Sequence, residues 1–269
     1  MHIEADGFSG NVHVRDDGRR DAPVLLLLIH GFSGSMHWYQ ALVDQLVDDY
    51  RVIRVDLAGH GETRGAAADA PVQARIVDSV LEALDTTGVT AIGHSFGADV
   101  AVELGERSAR VDRIVVLAQA PDYTDANLPR GRALMTVPRL NRALHRSFLG
   151  LGTAINATLG SRRSVADRQL ARQALRDFGA LDTAMFGVVL VQRRDRMALR
   201  PLDEQLRAAG KPALVVLGGK DHFYGARSAE RYRSAGAQVA VLPDSGHSVQ
   251  LDAPAETAQL IKAFDPPTP

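Results

Sequence analysis

Three residues of this 269-residue chain combine into a chemistry that none of them performs alone. Ser95 lies in Gly93-His94-Ser95-Phe96-Gly97, directly after the apolar run ending at Ile92 and directly before Ala98-Asp99-Val100-Ala101. A serine on a tight strand-to-helix turn sits in strained backbone geometry, and glycine two residues to either side keeps neighbouring atoms clear of its hydroxyl. That hydroxyl is a weak nucleophile at neutral pH, so it needs a general base and a group to orient the base. His247, in Asp244-Ser245-Gly246-His247-Ser248, supplies the base, and Asp221, closing Leu217-Gly218-Gly219-Lys220-Asp221, supplies the orienting carboxylate. The chain order Ser95, Asp221, His247 is one in which this triad geometry occurs. Asp122 and Asp125, following the apolar run that ends near Leu117, are rival acids.

The elements that must position these residues are short apolar runs with helical patterns between them. Val24 to Ile29, Arg51 to Val55, Val89 to Ile92, Ile114 to Leu117, Ala213 to Leu217 and Gln238 to Leu242 read as strands. Several are apolar on both faces, as a mostly parallel sheet covered by helices on each side requires. Trp38 to Val47, Val72 to Leu84, Ala98 to Arg107, Ser228 to Ser234 and Ala255 to Phe264 carry amphipathic spacing, and the alternation predicts an α/β fold. The rhythm breaks between Asp122 and Arg207. Only Val188 to Val191 reads as a strand there, while Arg139 to Leu149, Val165 to Phe178 and Leu181 to Val191 read as helical. The expected organisation is a catalytic domain of residues 1–121 and 208–269, with residues 122–207 a helical insertion over the carboxyl edge of the sheet. The tail from Asp265 to Pro269 is expected to fray.

With these motifs in place, the chain resembles the α/β-hydrolase fold superfamily, in its serine-nucleophile, esterase- and lipase-like branch with a helical cap. Besides the Ser95 turn, the resemblance rests on His30-Gly31-Phe32-Ser33-Gly34 and Asp56-Leu57-Ala58-Gly59-His60-Gly61, each following a predicted strand. It implies that the backbone N–H groups of Phe32 and Phe96 form an oxyanion hole. Donors of that kind are each worth about 3 kcal/mol in a transition state. Relatives usually place Ser two residues after Gly-His-Gly, where this chain has Glu62 and then Thr63, which keeps a hydroxyl. Serine rather than aspartate at position 95 argues against the dehalogenase and epoxide-hydrolase branches. Ser95-Phe96-Gly97 also lacks the Ser-Met-Gly-Gly wording of many carbon-carbon bond hydrolases.

The resemblance implies hydrolysis of a small or medium, largely apolar carboxylic ester through an acyl-enzyme, with no cofactor. Carbon-carbon bond hydrolysis, thioester hydrolysis and perhydrolysis are alternatives on the same scaffold, as is a non-catalytic small-molecule-binding protein. His30 and His60 read as loop braces, and His94 as packing beside the turn. His2, His13, His37, His145 and His222 have no supporting context. Met36 and Trp38 fit either the core or the pocket wall. In the insertion Leu134, Met135, Val137, Leu140, Leu144, Phe148, Leu149, Leu151, Met185, Phe186 and Val189 are candidates for an apolar pocket.

Composition bounds the remaining classes. A net charge of -1 gives no global field to hold nucleic acid. Zero cysteines exclude disulfides and thiolate chemistry, and nine histidines without paired spacing give no metal motif. No apolar run approaches the roughly 20 residues of a membrane span, and the acidic start, Met1 to Asp6, lacks an export signal, so a cytoplasmic location is expected. The small charge hides a split. Asp122 to Gly210 holds fifteen Arg against eight Asp or Glu, net +7, which leaves -8 elsewhere. Solvated arginines with attraction between the two parts are one reading of this split, and a cap that draws anionic substrates or anionic lipid surfaces toward the mouth is the other. Oligomeric state is not legible in the sequence.

Overall fold

The six aliphatic runs become strands of one sheet; of three further strands that precede them, one joins that sheet and two form a hairpin. The computed structural model describes all residues except 6–7, 23, 64, 125, 127–135, 148–150, 152–166 and 268–269. The strands are β1 (His2–Ala5), β2 (Phe8–Asn11), β3 (Val14–Gly18), β4 (Leu25–Ile29), β5 (Arg51–Val55), β6 (Val89–His94), β7 (Val111–Leu117), β8 (Ala213–Gly218) and β9 (Gln238–Leu242). β1 and β2 form a separate hairpin, and the other seven form a sheet of order β3-β5-β4-β6-β7-β8-β9. Only β3 runs antiparallel, against β5. Its charged sequence, Val14-Arg15-Asp16-Asp17-Gly18, hid it from pattern reading, and cross-strand charge holds it in place. Arg51 Nη2 donates to Asp16 at 2.9 Å, and the fully buried Arg54 donates through Nε to Asp17 at 2.7 Å.

The inner strands β4, β6 and β8 are buried throughout, and the side chains of the sheet alternate between two apolar layers. Leu25, Leu27, Ile29, Ile53, Val55, Val89 and Ala91 pack on one side with the helices Ala70–Ala83 and Phe96–Arg107. Leu26, Leu28, Val52, Ile92, Val115 and Leu117 pack on the other with Leu42, Leu46 and the helix Pro254–Phe264. From β4 the chain steps to one side into β5 and then returns to the other side into β6. Such a reversal opens a crevice at the carboxyl ends of the strands, where α/β sheets bind ligands. Ile29 and Gly93 pair across that point, so the loops after β4 and β6 meet there.

Between β7 and β8 the described elements are helical, among them Pro138–Ser147, Arg168–Ala180, Met185–Gly187, Arg193–Leu199 and Leu202–Ala209. Val188 to Val191 carries both a strand and a helical reading, and the helical one holds: Val188–Gln192 is a π-helical turn, with Val188 and Val189 buried against the main core. β-branched residues favour strands only weakly, and here burial of a helical face prevails. The predicted helix over Trp38 to Val47 is reduced to a 3-10 turn, Met36–Tyr39, and a short helix, Gln40–Val43. The tail also differs from expectation. Asp265 is buried, its carboxylate accepting from the Thr90 hydroxyl and, at 3.0 Å, from Arg113 Nε. No described helix is long and apolar enough to cross a membrane.

Candidate active site

Ser95 turns the chain from β6 into the helix Phe96–Arg107 with φ 51° and ψ -121°, a left-handed backbone that a residue with a Cβ adopts only under constraint. The constraint is visible. The Ser95 N–H donates to the Leu117 carbonyl of β7 at 2.9 Å, and the Ala98 N–H donates back to the Ser95 carbonyl at 2.8 Å. Glycine is required on both sides because the helix start lies directly on the sheet. A Cβ at Gly93 would come within 2.1 Å of the Gly97 carbonyl oxygen, and one at Gly97 within 2.2 Å of the Ile29 carbonyl oxygen. Packing thus forces the half-buried serine to the mouth of the crevice.

The loops after β8 and β9 bring an acid and an imidazole to the same edge. Asp221 Oδ2 accepts from His247 Nδ1 at 2.8 Å, while its Oδ1 accepts the backbone N–H of Phe223 at 2.8 Å and of Tyr224 at 3.2 Å. Burial alone would raise this carboxyl. The facing His247, by charge and hydrogen bond, and the two backbone donors outweigh it and hold Asp221 below the ordinary carboxylate value. An imidazole held this way carries its proton on Nδ1 and keeps the Nε2 lone pair for a proton from elsewhere. The rival Asp122 binds Arg231 Nη1 at 2.7 Å instead, and Asp125 lies outside the described residues.

His94, the residue before the serine, locks the imidazole loop to the turn. Its Nε2 donates to the His247 carbonyl at 2.9 Å, and the two rings lie 4.9 Å apart. Burial, with His247 alongside, lowers His94 to about 3, so it is neutral in any working buffer. Phe223 and Tyr224 pack their rings 5.0 and 5.6 Å from His247. Among the described residues the Ser95 hydroxyl has no hydrogen-bond partner, so its bond to His247 is not formed here. Bonds of this kind commonly close only around a substrate.

The loops after β4 and β5 brace each other through His30 and Asp56. His30 accepts the Leu57 N–H at 3.0 Å on Nε2 and donates from Nδ1 to the Gly31 carbonyl at 2.9 Å. Asp56 accepts the N–H of Met36 at 2.8 Å and of Glu62 at 2.9 Å. His13, given no role from sequence, adds a ring contact to Asp56 at 3.0 Å, and its N–H donates to the Thr63 hydroxyl at 2.9 Å, so threonine serves at that position. His60 bonds the Ala58 carbonyl through Nδ1 at 3.2 Å, and burial lowers it to about 3. Gly31 packs against the turn so tightly that a Cβ there would lie 3.1 Å from Ser95 Cβ. Among the described residues neither the Phe32 nor the Phe96 N–H has an acceptor, and that of Phe96 opens a helix, where backbone donors favour negative charge.

The segment between β7 and β8 contributes Phe186, whose ring meets Phe32 edge-on at 5.0 Å, with Met185 and Val189 in the same core. Val137, Leu140 and Leu151 are exposed instead, while Leu134, Met135, Phe148, Leu149 and the Leu144 side chain lie outside the described residues. Trp38 meets the segment by donating from Nε1 to Asp177 at 2.7 Å, and Ser35 donates to the same oxygen at 2.9 Å. Met36 is fully buried. Reading the sequence missed Asp177, Asp99 and Arg193. The available signal for Asp99 was a carboxylate one helical turn after Ser95, inside the otherwise apolar stretch Phe96 to Val102.

The profile of the alpha/beta hydrolase family matches residues 26–260, a span that includes the turn, the acid and the imidazole. The chain belongs to that family. It is 31% identical over 245 residues to the dihydrolipoyllysine-residue acetyltransferase component of an acetoin cleaving system from Cupriavidus necator, covering 88% of this chain and 62% of that protein. The corresponding Pseudomonas putida protein is 31% identical over 255 residues, again at 62% of its length, so this family member spans under two thirds of both relatives. Among solved structures it resembles the enol-lactonase from Burkholderia xenovorans (TM-score 0.79, 19% identity, 98% of this chain and 99% of that one). It also resembles Cfl2 from Burkholderia cenocepacia (TM-score 0.80, 20% identity, 98% and 94%). At such identities these two likenesses speak for the fold.

Proposed function

We propose that this α/β-hydrolase family member is a serine hydrolase that cleaves a carboxylic ester of a small or medium, largely apolar substrate through an acyl-enzyme. Ser95 attacks the carbonyl as His247 Nε2 takes its proton, and Asp221 holds the imidazole tautomer and balances the imidazolium. The N–H groups of Phe32 and Phe96 receive the oxyanion. His247 then protonates the leaving alcohol, and water retraces the path to release the acid. The cycle needs no cofactor. Residues 122–207 act as a helical cap over the catalytic domain of residues 1–121 and 208–269, and Phe186 supplies apolar wall beside Phe32.

The observation that carries this reading is the 2.8 Å His247–Asp221 pair, tied by His94 to a turn that holds Ser95 in left-handed geometry. A solvated serine and a surface histidine have no need of that construction. Turnover of p-nitrophenyl esters by the wild type and by Ser95→Ala tests it. The variant should lose at least about 10³-fold in kcat with an unchanged melting temperature, whereas near-native turnover by Ser95→Ala would end the assignment.

A further inference from the structure

Arg193 opens the helix Arg193–Leu199 directly after the π-helical turn, and its guanidinium is buried at the carboxyl end of β7. One edge of it is fully used. Nε donates to Asp99 Oδ2 at 2.6 Å, and Nη2 donates to Asp99 Oδ1 at 3.0 Å and to the Ala120 carbonyl at 3.1 Å. Gln119 Nε2 adds a bond to Asp99 at 3.2 Å, and the Tyr123 ring lies 4.7 Å from Arg193 Cζ. The other edge differs: among the described residues Nη1 is buried and has no acceptor. A desolvated guanidinium N–H left unmade is costly, and folded proteins retain few such groups without a use for them.

Its place beside the site is fixed from two sides. Asp99 stands one helical turn beyond Ser95, about 6 Å along the axis. Opposite, Tyr224 feels the Arg193 charge, packs its ring 5.6 Å from His247 and gives its N–H to Asp221. β7 lies between β6, which leads into Ser95, and β8, whose following loop carries Asp221. Arg193 therefore lies close to the strand ends from which the hydrolytic groups project.

We propose that Arg193 Nη1 is a substrate-binding subsite for a second, uncharged acceptor oxygen, the carbonyl of a ketone, ester or amide some bonds away from the scissile ester. The charge count selects an uncharged oxygen. Asp99, fully buried, already balances Arg193, so a carboxylate would leave an uncompensated buried charge, whereas a carbonyl adds only lone pairs. The subsite deepens the hydrolase reading and rests on it for the word substrate.

The test compares matched p-nitrophenyl and alkyl esters that carry a ketone in the acyl or the alcohol part, their hydrocarbon isosteres, and carboxylate-bearing analogues. In the wild type at least one ketone ester should exceed its isostere by about ten- to a hundredfold in kcat/KM. Arg193→Lys keeps a charge for Asp99 but removes the second edge, and should cut that advantage to about threefold or less. Should this variant not fold, Arg193→Gln combined with Asp99→Asn removes both charges together and serves the same comparison. Ketone and isostere hydrolysed alike by the wild type, an advantage that survives in the variant, or a preference for the carboxylate ester would each overturn the subsite while leaving the hydrolase reading intact. If no ester is turned over, the hydrolase reading fails separately. Calorimetric binding of 5-oxohexanamide against hexanamide then decides the subsite, with Arg193-dependent binding of the ketone as support and equal binding of the two amides as refutation.

Discussion

Replacing Asp221 by asparagine probes the candidate triad through a constraint that the structure makes explicit. The two carboxylate oxygens have different duties: Oδ1 accepts two backbone N–H groups, from Phe223 and Tyr224, and Oδ2 accepts His247 Nδ1. In Asp221→Asn only the amide oxygen can accept, and satisfying two buried backbone donors places it where Oδ1 stood. The amide NH2 then faces His247 Nδ1, which must offer a lone pair and move its proton to Nε2. That tautomer cannot take a proton from Ser95. The expected fall in kcat is about 10³- to 10⁴-fold, about 4 to 5.5 kcal/mol at 1.36 kcal/mol per decade. Asp122→Asn is the internal control, since Asp122 engages a half-exposed Arg231 and should change kcat by no more than about twofold. Steady-state kinetics on a p-nitrophenyl ester, with circular dichroism to verify folding, reads both variants. A kcat for Asp221→Asn within tenfold of wild type, or an equal loss in Asp122→Asn, would refute the tautomer argument.

Other expectations follow from the packing and the titrating groups. Gly97→Ala places a methyl 2.2 Å from the Ile29 carbonyl oxygen and 2.4 Å from that of His30, so the turn must move. Denaturant unfolding should show a loss of about 2 kcal/mol or more, with activity falling further than stability, and a wild-type profile would show that the contact is not rigid. His60 and His94 are each lowered from 6.5 to about 3, chiefly by burial. Below pH 6.5 the unfolded chain therefore takes up two protons that the folded chain refuses. Stability is retained above that pH and should fall on acidification from about 6.5 towards 3, by up to about 2.7 kcal/mol per pH unit. Urea unfolding between pH 7.5 and 4.5 measures the slope; half of it would mean that one ring accepts a proton in the folded state, and a flat profile that both do.

Much of the sheet and the candidate triad could be read from the sequence because both depend on local pattern. Continuous aliphatic runs mark strands buried on both faces, and a serine between glycines at a strand-to-helix junction has few other uses. The misses have a common physical origin in contacts between distant segments. β3 is held by Asp16 and Asp17 against Arg51 and Arg54, a pairing that no hydrophobic period reveals. Val188–Gln192 carries strand-forming residues, and of its two sequence readings the helical one holds because its surroundings bury a helical face. Asp99 with Arg193, and Asp177 with Ser35 and Trp38, join residues 94, 142 and 139 positions apart. The first of these pairs gives the charge split local content: the basic segment meets the acidic remainder partly through the buried Arg193–Asp99 ion pair.

The central claim is that Ser95 is a nucleophile activated by His247. Treatment with a fluorophosphonate followed by peptide mass spectrometry addresses it without assuming a substrate. One adduct per chain on the peptide containing Ser95, strongly slowed in His247→Ala and absent in Ser95→Ala, is the predicted result. An adduct on any other residue, or labelling of Ser95 at the same rate without His247, would contradict it.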